Sequence, residues 1–316
     1  MPAPAYTVTF LGTSSGVPTL QRNLSSVAIQ REGELFLFDC GEAAQIQYRR
    51  AGLGFAPLAG ICVTHLHGDH VTGLMGLLMS LQMAERIEPL AICGPPGIRE
   101  YVRLNRRALH TRFAYPIQFI EADTAAVLRE ADGYRLLCAP LEHRLLCLGF
   151  ALMEKPRPGR FNLEAARVLG IPEGPLYGRL QSGEPVSLPD GRTVLPEQVL
   201  GPPRPGASVA FCTDTRPCAA AVDLARDTDL LIYEGTFDAS SATEAHRKGH
   251  STVAEAAQIA LAAGVRRLAI THLSPRYRDV EPLLEQARAI FPNTLMARDL
   301  MQLEVYRRDE EPAGRP

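Results

Sequence analysis

The sequence predicts an α/β fold, and two observations carry the prediction. Short apolar runs with the look of buried strands alternate with segments of helical period along the chain. Four of these runs end in a side chain able to bind a metal: 61–64 in His65, 134–139 near His143, 208–211 in Asp214, and 267–270 in His272. Sites in mixed α/β architectures gather beyond the carboxyl ends of strands, so four strands ending alike point to one shared site. At 316 residues the chain has room for one large domain or two ordinary ones.

The elements follow in order. A strand over Tyr6 to Leu11 stops at Gly12-Thr13, and residues 13–18 form a small-residue loop. That loop is either a plain tight turn or a set of backbone N–H groups offered to an anion. Strands at Leu24 to Ile29 and Leu35 to Phe38 flank Glu32-Gly33, and Asp39-Cys40-Gly41-Glu42 closes the meander before a helix over Ala43 to Arg50. Further on come helices over Leu74 to Met83 and Ile98 to Leu109, the second rich in arginine and read as a solvated face. Strands at 90–93, 117–120, 134–139 and 148–153 complete the first half.

The texture changes between Lys155 and Gly206, where proline and glycine are too dense for a continuous sheet or a long helix. A single helix, Leu163 to Leu169, is expected there. The segment carries seven basic residues against five acidic ones, and its apolar residues, among them Phe161 and Tyr177, favour an ordered protruding arm. Strand texture resumes at 208–211 and 229–234, and a polar loop holds His246, Lys248 and His250. Ser251 or Thr252 can then cap a helix from Val253, with Glu255 in its first turn. A strand at 267–270, a helix after Val280 and a strand at Leu300 to Tyr306 follow, and the terminal RRDEEPAGRP is expected to fray.

The densest chemistry lies in Thr64-His65-Leu66-His67-Gly68-Asp69-His70. Three imidazoles and a carboxylate packed directly after a strand are ligands that zinc accepts. Gly68 is expected to let the turn aim side chains to either side. A net charge of −2 advertises no overall basic surface for nucleic acid, although a local patch suffices for phosphate contacts. The N-terminus lacks the pattern of a signal peptide, and the longest apolar run is too short for a bilayer. Seven cysteines without a C-x-x-C pair read as core residues in a reducing compartment, the cytoplasm.

These blocks resemble a known family. HLHGDH followed by a distant histidine, a distant aspartate and THLS is similar to the metallo-β-lactamase superfamily. FLGTSSGVPTLQRNLSS, LFDCGEA, CGPPGI, PGRFNLEAARVLGIPEGPLYGRL, FCTDTRP, GHSTVAEAA and THLSPRY resemble, within it, the short form of ribonuclease Z, the tRNA 3′-processing endoribonuclease, from about Tyr6 to Tyr306. The resemblance implies an αββα sandwich, two mixed β-sheets flanked by helices, as a single domain over residues 1–316 with 155–206 inserted as a tRNA-binding arm. It implies two zinc ions per subunit, one on His65, His67 and His143, the other on Asp69, His70 and His272, with Asp214 bridging. Two divalent ions about 3.5–4 Å apart can clamp a phosphate for in-line displacement.

By the same resemblance Asp69 orients or deprotonates the attacking water, and His250 protonates the departing 3′ oxygen with Glu234 orienting it. One block departs from the family: its histidine-glutamate-alanine-threonine reads Tyr233-Glu234-Gly235-Thr236 here. Arg157, Arg160, Arg167, Arg179 and Arg276 are candidate RNA contacts, with Arg22 and Asn23 as candidates for phosphate. The implied partners are precursor tRNA and a second copy of the chain, with no membrane and no nucleotide cofactor. Two other readings compete: a dizinc hydrolase of a small phosphodiester, ester or lactone with the arm as a lid, and an RNA-binding protein without catalysis. The complete ligand set argues against the second, and the glycine- and proline-rich arm against the first.

Overall fold

The structure, a computed structural model, describes residues 3–310. Strands β1 (Tyr6–Gly12), β2 (Ser26–Arg31), β3 (Glu34–Phe38), β4 (Leu58–Cys62), β5 (Leu90–Gly94) and β6 (Ile117–Glu121) belong to a first sheet. Next in the chain come β7 (Ala126–Glu130), β8 (Tyr134–Leu141), β9 (Cys147–Glu154), the short pair β10 (Val186–Ser187) and β11 (Thr193–Val194), and β12 (Ser208–Cys212). The last strands are β13 (Leu230–Glu234), β14 (Leu268–Thr271), β15 (Thr294–Met296) and β16 (Gln302–Val305). Helices α1 (Ala44–Arg50), α2 (Gly68–Val71), α3 (Leu74–Met83) and α4 (Ile98–Ala108) lie in the first half. The remainder are α5 (Leu163–Val168), α6 (Pro175–Gln181), α7 (Ala219–Ala225), α8 (Ala242–Lys248), α9 (Val253–Ala263) and α10 (Glu281–Arg288).

The chain divides into two compact units, Met1–Met153 with Ala207–Tyr306 and Glu154–Gly206 with Arg307–Pro316. The larger unit holds two seven-stranded sheets, ordered β16-β1-β2-β3-β4-β5-β6 and β15-β14-β13-β12-β9-β8-β7. Both are mixed: β3 to β6 run parallel in one and β12 to β15 in the other, with antiparallel pairs beside them. The apolar runs are continuous because both faces of each sheet are covered. Phe36, Phe38, Phe150 and Phe211 fill the space between the sheets, with Phe38 centred 5.6 Å from Phe211 and 5.8 Å from Phe150. Helices α1, α3 and α4 cover the outer face of one sheet and α7, α9 and α10 that of the other, which is the αββα sandwich.

The smaller unit has a core of its own, including Ala166, Ile171, Leu180, Val186 and Val194. Its sequence promises one helix, yet a second, α6, opens with Pro175 at the position where a missing N–H costs nothing. The β10–β11 hairpin adds a further piece. Residues 307–310 join the arm's unit. The tail expected to fray is pinned there: Arg307 makes two 2.7 Å bonds to Glu154, and Asp309 receives Arg157 at 2.6 Å and Arg204 at 2.9 Å. Residues 311–316 of that expectation lie outside the described residues.

Other elements the periodicity does not announce are β7, α8 and β15, each short, and α2, a single turn. The seven cysteines are free and buried, as core residues. No described helix is long and apolar enough to cross a membrane.

Helix α9 shows how sequence sets an element. Val253, Ala256, Ala257, Ala260 and Ala263 recur at helical spacing and are all buried, and Gly264 ends the helix in the left-handed region at φ 66°. Thr252 caps it, accepting from the Glu255 N–H while Glu255 accepts from the Thr252 N–H. Thr252→Ala is expected to lower unfolding free energy by about 1 kcal/mol, and Thr252→Ser to retain most of it. Urea denaturation of the full chain followed by circular dichroism checks this.

Candidate metal centre

The strand ends converge. β3 runs out into Asp39, β4 into Thr64 and His65, β8 toward His143, β12 into Asp214, β13 ends in Glu234, and β14 leads into His272. Asp39, Asp214 and His272 adopt left-handed φ values of 57°, 49° and 56°, uncommon for side-chain-bearing residues. The sharp turns send these side chains back over the strand ends, a strain typical of functional sites.

The metal loop divides its own ligands. His65 and His67 stand two residues apart in extended chain and so face one way, His67 being the extended N-cap (φ −67°, ψ 150°) of α2. The helical turn then carries Asp69 and His70 to the other side. Gly68 is not the device expected of it: it lies inside α2 without a positive φ, and an added Cβ meets only Thr72 Cγ2 at 3.5 Å. The switch from extended to helical backbone does the aiming.

Three overlapping groups could hold a metal: one is Asp214, His250 and His272, and the other two stand on either side of Asp214. His65, His67, His143 and Asp214 present atoms within 4.8 Å of one another, and so do Asp69, His70 and His272. Asp214 reaches both: Oδ2 lies 3.5 Å from His65 Nε2 and 4.0 Å from His143 Nε2, while Oδ1 lies 3.3 Å from His70 Nε2 and 3.1 Å from His272 Nε2. Asp69 Oδ2 stands 3.5 Å from both His70 Nε2 and His272 Nε2. These two nitrogens are buried yet make no hydrogen bond. Buried ring nitrogens without hydrogen bonds, aimed with carboxylates at common space, fit a divalent metal, which would displace any proton they carry and satisfy them all.

Each ring is fixed from behind. His65 Nδ1 donates to Thr64 Oγ1 (3.0 Å), His70 Nδ1 to Asp39 Oδ2 (2.6 Å), His143 Nδ1 to the Gly249 carbonyl (2.7 Å), and His272 Nδ1 to Thr236 Oγ1 (3.0 Å). All four therefore turn Nε2 inward. His67 is reversed, its Nδ1 lying 2.8 Å from His65 Nε2. Burial lowers the pKa values of His65, His67 and His143, which leaves neutral imidazoles with lone pairs free. Burial alone would raise the pKa of Asp214, but the neighbouring His272 and His70 outweigh it and hold the carboxylate ionised. Asp69 is held well below the usual range in the same way, by His272 and His70 against its burial.

Beside the centre, His250 Nδ1 lies 3.0 Å from Glu234 Oε1 and 4.0 Å from Asp214 Oδ2. Glu234 is fully buried, and its Oε1 also accepts from the Thr215 N–H at 2.7 Å. Its Oε2 accepts from Thr236 Oγ1 at 2.6 Å, the hydroxyl that supports His272. One carboxylate thus ties His250 to a ligand ring. The altered block is accommodated around it: a Cβ at Gly235 would sit 2.4 Å from Ile270 Cγ2 and 2.8 Å from Val253 Cγ1, so alanine has no room. Tyr233 is buried with its hydroxyl 3.4 Å from Ser251 Oγ.

The small-residue loop offers its amides inward. Ser14 and Ser15 donate to the Asn23 and Leu273 carbonyls, and Gly16 donates to Asp69 Oδ2 at 2.8 Å, so the anion served is the protein's own carboxylate. Arg22 is turned to Thr13 Oγ1 and the Ala297 carbonyl, and the Asn23 N–H to Asp299, both structural contacts. His246 pairs with Glu255 at 2.6 Å on α8. Most candidate RNA-contacting arginines are already engaged: Arg157 with Asp309, Arg167 with Glu173, Arg179 with Glu184, and Arg276 doubly with Glu244. Arg160 is the most open of them, 73% exposed.

Sequence reading passes over Asp39, Thr64, Thr236 and the Gly249 carbonyl. Asp39 carried a usable signal, since it ends an apolar strand as His65 and Asp214 do. It binds His70, Ser25 and both the N–H and hydroxyl of Thr64, and so orients two ligand rings at once. Asp39→Asn is expected to weaken metal affinity roughly 10–100-fold with the fold retained. Competition against a chromophoric chelator measures it, and an unchanged affinity would remove Asp39 from the supporting shell.

Comparison with known proteins now has a geometry to be set against. Residues 198–273 match the family described as Beta-lactamase superfamily domain, and residues 6–104 the one described as Anti-Pycsar protein Apyc1. The chain is 48% identical over 310 residues to Ribonuclease Z of a Nostoc species, covering 96% of each. It is 46% identical over 304 residues to Ribonuclease Z of Methanosarcina acetivorans, covering 96% of this chain and 99% of that one. The short form of human tRNase Z superposes with a TM-score of 0.68 at 25% identity, over 95% of this chain and 99% of that structure. Ligand constellation, sandwich and near-full-length identity agree, and the chain belongs to the ribonuclease Z family of metallo-β-lactamase-fold proteins.

Proposed function

We propose that the chain is a metal-dependent endoribonuclease that removes 3′ trailers from precursor tRNAs and leaves a 3′ hydroxyl. The observation that carries this is the pair of ligand groups joined by the two oxygens of Asp214, in a chain of the ribonuclease Z family. Two zinc ions per subunit suit the donor set, His65, His67 and His143 on one and Asp69, His70 and His272 on the other. Bound there, they would lower the pKa of water toward ~7 and neutralise phosphate charge.

The chain's own residues do the rest. Asp69, ionised and fixed by the Gly16 N–H, orients the attacking water and takes its proton. As the phosphorus–oxygen bond breaks, His250 gives a proton to the departing 3′ oxygen, and the phosphate stays with the trailer. Glu234 holds His250 in the required direction. Burial opposes charge on His250, but the charge and hydrogen bond of Glu234 outweigh it and push its pKa up to about 9, so the donor carries its proton at neutral pH. The arm is the contact for the tRNA body, which as duplex is recognised by shape and backbone. Its identity as arm, the homodimer and the cytoplasmic setting rest on the family resemblance, with seven buried free thiols suiting a reducing compartment.

The first test is purified protein on trailer-bearing precursor tRNA with and without chelator; absent or chelator-insensitive cleavage would sink the reading. The arm is separable, because Met153 and Ser208 are paired neighbours on β9 and β12 and a short turn can join them. Replacing 155–206 by such a turn should spare hydrolysis of bis-p-nitrophenyl phosphate while greatly reducing precursor cleavage. Equal loss on both substrates would count against the arm's role. For the proton donor, kcat/KM should fall as pH rises through about 9, because the acid loses its proton there. Glu234→Gln removes the charge that raises the value, so the falling limb should move to lower pH, toward the ordinary ~6.5. An unmoved limb would exclude His250 as the acid.

A further inference from the structure

Helix α4 carries charge that the site described above does not use. Residues 98–112 hold five arginines and one glutamate in a chain of net charge −2. Arg99, Arg103 and Arg106 stand at i, i+4 and i+7, one face of the helix, about 10 Å from end to end. That face borders a groove of about 270 Å³ whose other wall comes from β6, the edge strand of its sheet, and the loop before it, with Phe113 and Phe119 half-buried in its lining. The Arg99 guanidinium lies 5.6 Å from the centre of the Phe119 ring. Glu100 is bound to Arg103, and Glu121 is taken by the Gly97 and Arg99 backbone N–H groups, so neither neutralises Arg99 or Arg106. Arg99 and Arg106 have no carboxylate partner among the described residues, unlike Arg157, Arg167 and Arg179.

The start of α4, from which the groove runs, lies against the metal loop. A Cβ at Gly97, the N-cap of α4, would lie 3.1 Å from Leu66, between His65 and His67, and the Tyr101 hydroxyl donates to the Val71 carbonyl at the end of α2. Arg99 and Arg106, without carboxylate partners, beside the half-buried Phe113 and Phe119 rings suit single-stranded RNA, whose phosphates meet the charges and whose unstacked bases meet exposed ring edges. Duplex does not offer such bases, so the body of a tRNA does not fit this description. We infer that the α4–β6 groove holds the single-stranded 3′ trailer as it leaves the metal centre. The identity of that strand rests on the endoribonuclease reading.

The test compares wild type with the double variant Arg99→Ala/Arg106→Ala on two precursors, one with a single-nucleotide trailer and one with a long unstructured trailer. The variant is expected to raise KM for the long trailer roughly tenfold and to leave kcat, the short-trailer KM and bis-p-nitrophenyl phosphate hydrolysis unchanged. The slope of log affinity for labelled oligouridine against log salt should fall by about 1.4, two single-strand phosphate contacts. Arg99→Lys/Arg106→Lys, which keeps the charge, should recover most of the affinity. An unchanged ratio of long- to short-trailer KM overturns the proposal, as it would if the groove seats a protein. Equal loss on both precursors also overturns it, since that is an effect on the fold or the general field. If wild type cuts neither precursor, the endoribonuclease reading fails, and the groove is then judged by oligouridine alone: binding to wild type and not to the double variant supports it, and equal binding refutes it.

Discussion

Asp214 is the residue on which the centre turns. It is buried, so its carboxylate survives only because imidazoles surround both oxygens. A charge taken out of water is costly unless paired and hydrogen-bonded, and the cost grows with each charge added. The protein meets that constraint by keeping His65, His67 and His143 neutral and placing the carboxylates between the two groups. A bound divalent metal would complete the balance at the two buried nitrogens that make no hydrogen bond.

The sandwich exists in a form that makes this arrangement reachable. Each sheet contributes a parallel half whose strand ends open toward the centre, the first giving Asp39 and His65 and the second Asp214, Glu234 and His272. Back-to-back packing through Phe38, Phe150 and Phe211 fixes the two sets of ends against each other. Because interiors are close-packed, a ligand's position is set by side chains far from it. Left-handed turns at Asp39, Asp214 and His272 are tolerated because strands on both sides hold them.

Support is shared between roles. Thr236 receives the Nδ1–H of the ligand His272 and donates to Glu234, and Glu234 in turn binds His250. A change that moves Glu234 therefore acts on His250 and on the His272 ring together. Gly235 belongs to the same arrangement, since the Ile270 and Val253 side chains occupy the place an alanine methyl would need. The departure from the family's block leaves His250 and Glu234 in contact.

The candidate ligands were legible because local order encodes them: apolar runs that end in histidine or aspartate, and imidazoles crowded behind a strand. The α/β class and most strands and long helices came from the same short-range periodicity. Periodicity does not report short elements such as α2, α6, α8 and β7, whose few residues are held by packing. Nor does it report which nitrogen of each imidazole faces the metal, since that depends on Asp39, Thr64, Thr236 and Gly249, the last two far away in sequence from the rings that they fix. Arg157, a candidate RNA contact, meets Asp309, 152 positions along the chain. Arginine-rich α4 looked merely solvated until the edge strand set aromatic rings beside it. Charge can be counted along a chain, but whether it is already neutralised depends on partners that only tertiary packing brings within reach.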